Sequence, residues 1–312
     1  MSDIDFQSES TGYQKPKFED VLLKLQSEGK DSESIISPDI LYGLSDIDPE
    51  QLKALQGVWA TLSSPYKHKL IEALTEASEA DFELVYSDIA SIGVKDESAL
   101  VRAAAIDLMW EDESAESMRL LMHIIEQDES PNVKARALVA LGKYILLGEY
   151  EEISESLAVE AQELAIKFHK STAQPLEVRR RALEALSNSS HAEKDKLIRD
   201  AYHNSEHLMK VSSIFAMGRT CDDKWQDILL DELDSSDNEI IYEAVRACGE
   251  IQLSSSVRQL GELILGDDRE IQVMAIWSLG EIGGKHALDI LYQLQETVED
   301  EELAEIIDEA VD

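Results

Sequence analysis

The sequence predicts an all-α fold, a right-handed α-solenoid (an alpha-alpha superhelix) built from helical hairpins. Three observations predict it. A segment recurs about every 31 residues, its apolar and small residues keep helical spacing, and no strand-like alternation of useful length separates the copies. Six copies align without gaps: VRAAAIDLMW from Val101, VKARALVALG from Val133, VRRRALEALS from Val178, MKVSSIFAMG from Met209, IIYEAVRACG from Ile240 and IQVMAIWSLG from Ile271. Their starts lie 32, 45, 31, 31 and 31 residues apart, so one insertion separates the second copy from the third.

Each column of the repeat has a physical reason. Position one is Val, Ile or Met in every copy, and position five is always small (Ala105, Ala137, Ala182, Ser213, Ala244, Ala275). Position eight is small except for Leu108, and positions six and nine are apolar throughout. Positions 1, 5, 6, 8 and 9 share one broad face of an α-helix, and the small residues on it let neighbouring helices come close. Gly142, Gly218, Gly249 and Gly280 close four copies, where a left-handed residue is expected to stop each helix. Ser98, Ser130, Asp237 and Asp268, each three residues before position one, are the expected N-caps, with Pro131 in the tolerated first turn. Second helical runs start at Met118, Trp225, Val257 and Ala287 and complete a hairpin per repeat.

Three regions follow. Residues 1–16 are polar and are expected to form a mobile tail. Residues 17–80, including PEQLKALQGVWATL, read as a helical N-terminal cap, and residues 81–312 as the solenoid. Around 143–174 a repeat is lengthened, where Ile153, Leu157, Leu164 and Phe168 predict a longer first helix of the third repeat. The last run, EDEELAEIIDEAVD, spaces Leu303, Ile306, Ile307 and Val311 as a terminal cap with a polar outer face.

Charge narrows the function classes. The chain has 312 residues, with 65 Asp and Glu against 28 Lys and Arg, a net charge of −37. Phosphate contacts need clustered cations, so nucleic acid and anionic membrane surfaces are disfavoured partners. Two cysteines, Cys221 and Cys248, allow neither a disulfide framework nor a cysteine zinc site. With no span or leader pattern, a soluble cytoplasmic protein is the expectation.

VRAAAIDLM, VKARALVALG, VRRRALEAL and IQVMAIWSLGEIGG resemble the short HEAT-like repeats of the phycobilisome-lyase type, and the likeness covers about Asp81 to the end. The entry segment YGLSDIDPEQLKALQGVWATL is similar to that of bacterial HEAT-repeat proteins with no assigned activity. The resemblance implies an armadillo-like superhelix with a concave groove. Its functions range from scaffolds through lyases to a hydroxylase and a DNA glycosylase. The hydroxylase type holds iron on His-Glu pairs, and none of His68, His123, His169, His191, His203, His207 and His286 is followed by Glu. The glycosylase type needs a basic concave face, which −37 opposes.

Within the chain, His203 and His207 have the spacing of a helical metal pair, but Asn204 and Ser205 between them read as a turn. Cys248 falls in the core column, and Cys221 lies near a loop without a partner base. No catalytic constellation and no cofactor site emerges. Arg102, Lys134, Arg179 and Lys210 recur at position two and are expected to form a structural ladder with acids of the adjoining turn. Positions three and seven face away from the core. In the last three copies they hold Val211 and Phe215, Tyr242 and Arg246, Val273 and Trp277. Two readings stay open for these six residues: a protein-binding hot spot on the concave groove, or filling between repeats. The expected function is a non-enzymatic scaffold or adaptor for a protein or peptide partner, a basic one by charge, of undetermined oligomeric state. The alternative is an enzyme or enzyme subunit of the bilin-lyase kind.

Overall fold

The computed structural model describes residues 15–30, 35–298 and 300–311, which hold α-helices, two single-turn 3-10 helices and no strand. The tail expected over residues 1–16 lies outside the described residues up to residue 14. The chain divides into two compact units, Met1–Ser117 and Met118–Asp312.

The first unit contains α1 (Phe18–Glu28), α2 (Pro38–Leu44), α3 (Pro49–Trp59), α4 (Ser64–Ala80), α5 (Ser87–Gly93) and α6 (Ala99–Asp107). Asp48 starts α3 with a capping box: its carboxylate accepts from Glu50 and Gln51, while the Gln51 side chain accepts from the Asp48 amide. Leu55, Tyr66, Leu70, Ile71, Leu74 and Ile89 are fully enclosed. Beside them sits a buried ionic node, where Asp96 Oδ2 accepts from Trp59 Nε1 at 2.8 Å and from Lys67 Nζ at 2.7 Å. Helix α6, which carries the first repeat copy, packs on α4 and α5. Helix α7 is Ala115–Gln127.

The second unit is a stack of hairpins. Its first helices are α8 (Pro131–Glu149), α10 (Leu176–Leu186), α12 (His207–Arg219), α14 (Asn238–Glu250) and α16 (Arg269–Ile282). Their partners are α9 (Glu155–Lys170), α11 (Lys194–Tyr202), α13 (Gln226–Glu232), α15 (Val257–Leu263) and α17 (Gly284–Gln295), and α18 (Glu301–Val311) ends the row. Each of α8, α10, α12, α14, α16 and α18 packs against the next in that order. Position one of all six copies is at most 5% exposed, and position five is fully buried in each. Enclosing each aliphatic side chain stabilises the stack by about 1.5–3 kcal/mol.

Ser98, Ser130, Asp237 and Asp268 occupy the N-cap positions the sequence predicts. The two aspartates accept amide hydrogens of the first turn, Asp237 from Glu239 and Ile240, Asp268 from Glu270 and Ile271. The two serines make no side-chain cap bond; instead Asp96 and Asp128, two residues earlier, accept from the Ser98 and Ser130 amides.

Two expectations are corrected. The closing glycines do not stop their helices. Gly142, Gly218, Gly249 and Gly280 lie inside α8, α12, α14 and α16. Left-handed residues come three positions after the last three of them, at Cys221 (φ 50°), Gln252 (φ 53°) and Gly283 (φ 60°). At Gln252 the paired bonds of a Schellman stop are present: its amide donates to the Gly249 carbonyl and the Leu253 amide to the Cys248 carbonyl, both at 2.9 Å. The glycines instead provide room. Each faces a small residue of the next first helix, Gly142 against Ala185, Gly218 against Ala247, Gly249 against Ser278 and Gly280 against Ala310.

The lengthening also falls elsewhere than expected. It belongs to the hairpin of the second copy, whose α8 runs on to Glu149 and whose partner α9 spans Glu155–Lys170. The third copy keeps an ordinary first helix, α10. Leu157, Leu164 and Phe168 form the buried face of α9.

Candidate protein-binding face

The outward positions of α12, α14 and α16 lie side by side because their parent helices are packed in sequence. Val211, Phe215, Tyr242, Arg246 and Val273 are half-buried and Trp277 is 38% exposed. Five of the six fall into two pairings and a pocket, and Val273 belongs to none of these.

The first pairing joins Phe215 to Arg246. The guanidinium lies over the ring, 4.2 Å from its centroid, and Arg246 Nη2 reaches the Phe215 carbonyl at 3.5 Å. Arg246 is held in place by Glu243 through Nε at 2.8 Å and by Glu250 through Nη1. In the second pairing the Trp277 indole lies over Gly249: a β-carbon there would sit 2.8 Å from Trp277 Cζ3. Arg246 and Trp277, both at position seven, thus reach back onto the preceding helix.

Val211 and Tyr242 come together differently, in a pocket of about 300 Å³. Leu208, Val211, Tyr242 and Ile271 supply an apolar wall, and Glu239, Glu243, Asp268 and Glu270 supply carboxylates. Arg180 also lines it, but its guanidinium is engaged by Glu177 and Glu184 and donates to Ser212 Oγ at 3.2 Å. Burial pushes the Glu243 carboxyl above the usual range; the Arg246 charge opposes this, and Glu184 and Glu250 add to it.

Sequence reasoning missed the polar network behind this face. Arg180 and Arg181 of α10 hold Glu184, which is 7% exposed and accepts from Ser212 Oγ of α12 at 2.5 Å. The signal was present in the i, i+3 and i, i+4 spacing of Glu177, Arg180, Arg181 and Glu184. It was obscured because position seven of that copy reads as an exposed acid.

The position-two cations meet partners of several kinds. Lys210 does meet an acid, Glu232, at 2.8 Å. Arg179 donates through Nε to the His169 carbonyl at 3.1 Å, and the Lys134 ammonium lies 5.5 Å from the Phe168 ring centroid. Arg102 donates to the carbonyls of Asp96 and Glu97. The reason is local: Arg179 meets the C-terminal end of α9, where carbonyls lack helical partners and attract cations. His203 follows the end of α11 at Tyr202 and His207 starts α12, so the two share no helix. The His207 ring contacts Glu239 at 2.8 Å. Cys248 is buried, its thiol pushed up to about 12 by burial, and Cys221 is exposed.

One family model agrees with the hairpin stack over its last repeats. Residues 226–310, which run from α13 into α18, match the family model of HEAT repeats. No curated relative matches the chain. Among solved structures, YibA of Escherichia coli is 15% identical, with 89% of this chain and 97% of that one covered and a TM-score of 0.48. The CpcE–CpcF complex of phycocyanin lyase from Nostoc sp. PCC7120 is 14% identical over 72% of this chain and 93% of that one, TM-score 0.48. Human deoxyhypusine hydroxylase is 14% identical over 94% of each chain, TM-score 0.33. No described helix is long and apolar enough to cross a membrane.

Proposed function

We propose that this HEAT-like repeat protein is a non-enzymatic cytoplasmic scaffold or adaptor that binds a basic segment of a partner protein on the outward face of α12, α14 and α16. The pocket of about 300 Å³ between these helices carries the reading. An apolar wall beside several carboxylates suits the aliphatic stem and charged head of a Lys or Arg side chain. A bound cation would also favour the ionised Glu243 carboxylate, which burial, with a smaller contribution from Glu184 and Glu250, disfavours. Tyr242 lines the pocket with Val211 and takes the stem. Val273 and Trp277 extend the contact along α16, and the Phe215/Arg246 stack holds the neighbouring edge rigid. Stacking fixes these helices before binding, so little ordering is needed on association. The surplus of acids speeds capture of a basic partner and is screened by salt.

The test is affinity capture from the native cytoplasm at low and high salt, with Tyr242→Ala/Trp277→Ala as the control bait. The reading expects a polypeptide that the native chain retains at low salt, releases at high salt, and that the variant fails to retain. Equal recovery of the same polypeptides by both baits would overturn it. A bilin lyase would instead show chromophore transfer in visible absorbance after mixing with a bilin and its acceptor.

A further inference from the structure

A second recess lies on the other layer of the stack, away from the face described above. Helices α15 and α17 pack on each other and enclose a cleft of about 790 Å³. Its walls are helical faces: Val257, Gly261 and Leu265 recur along and just beyond α15, and Ile290 and Leu294 along α17. Leu265 lines the cleft and is 78% exposed, so its side chain is open to a partner. Gly261 keeps the wall of α15 low, since a β-carbon there would meet Ile290 Cδ1 at 3.0 Å. The lining on α17 runs from His286 to Leu294, roughly 12 Å at the helical rise, and Thr297 continues it just beyond the helix.

The rim decides what fits. Asp289 and Glu262 stand at the edge, and the cation beside them, Arg258, is already held by Glu262 at 2.7 Å. Beyond Lys285 the sequence has ten acids and no Lys or Arg, so the whole C-terminal end presents negative potential. We propose that this cleft docks an amphipathic helix of a partner protein, with aliphatic anchors on one face and Lys or Arg residues flanking them. The anchors fill the channel between α15 and α17 against Leu265 and Ile290, and the flanking cations pair with Asp289 and the acids around it. The proposal is independent of the α12–α16 face, which lies on the first helices.

The experiment titrates the full chain, by fluorescence anisotropy at moderate salt, with three fluorescein-labelled peptides. One is a Leu/Lys helix with all leucines on one face, one has the same composition scrambled, and one is the same pattern in Leu/Glu. The expected result is binding of the ordered Leu/Lys peptide at least about tenfold tighter than the scrambled one, with the Leu/Glu peptide weakest. Leu265→Ser and Asp289→Lys, both at exposed positions, are each expected to weaken it about five- to tenfold while leaving the melting temperature in place. Every titration is made on the Tyr242→Ala/Trp277→Ala background, where the other face, which also suits basic side chains, does not contribute. Equal binding of ordered and scrambled peptides would overturn the proposal. So would undiminished binding by both cleft variants.

Discussion

Gly218 of α12 lies so close to Ala247 of α14 that a β-carbon on it would sit 2.8 Å from the Ala247 Cα and 2.9 Å from its Cβ. The contact joins position ten of one repeat to position eight of the next, and it recurs between Gly249 and Ser278. Replacing either glycine with alanine is predicted to destabilise the second unit by about 1–3 kcal/mol, although alanine is the better helix former by about 1 kcal/mol. Gly57 in α3 has no atom within 4 Å of its missing β-carbon. Gly57→Ala is therefore predicted to stabilise by about 0.5–1 kcal/mol. Urea unfolding midpoints check both directions.

Gln252 holds a left-handed conformation at φ 53°, which costs a side-chain-bearing residue about 1–2 kcal/mol. Gln252→Gly is predicted to recover part of this, about 0.5–1 kcal/mol, because the side chain is exposed and the stop of α14 is made by backbone bonds. A raised unfolding midpoint with an unchanged denaturant slope is the expected outcome.

Asp96 gives the first unit an acid-sensitive node. Burial opposes its ionisation, but hydrogen bonds from Lys67, the Ser98 amide and Trp59, with the Lys67 charge, hold its carboxyl below the ordinary value of 3.8. An acid whose folded pKa is depressed contributes stability that is present above 3.8 and disappears as pH falls below it toward the folded value. Asp96→Asn, which leaves the Lys67 ammonium buried without its counter-charge, is predicted to cost about 3–5 kcal/mol at neutral pH. It should also flatten the loss of stability below pH 4, as measured by denaturant unfolding across a pH series.

The two thiols should differ in reactivity. Cys248 is enclosed, and burial pushes its thiol up to about 12, so little thiolate exists at neutral pH. Cys221 is exposed. A chromogenic disulfide reagent is predicted to titrate one thiol in the native chain and two in denaturant. Cys221→Ser should abolish the native signal.

Much of the stack was legible because burial repeats with the sequence. Val133, Met209 and Ile271 lie inside, and Asp237 and Asp268 cap their helices where the spacing put them. What escaped depends on contacts between repeats, which no single segment displays. Gly218 looks like a helix stop until Ala247 is set against it. Arg246 looks like an open cation until Phe215, 31 residues earlier, is placed beneath it. Arg179 was expected to seek an acid, and found instead the carbonyl end of α9, a partner made by the backbone rather than by any residue type. The cleft between α15 and α17 gave no signal because its apolar residues fit the same periodicity as core.

The central claim, that successive hairpins are seated by small residues in register, is tested most directly by a double-mutant cycle on Gly218→Ala and Ala247→Gly. The account predicts that Ala247→Gly relieves part of the cost of Gly218→Ala, giving a coupling of about 1–2 kcal/mol in urea unfolding. Strictly additive effects, within about 0.3 kcal/mol, would contradict the packing of position ten on position eight and with it the register of the stack.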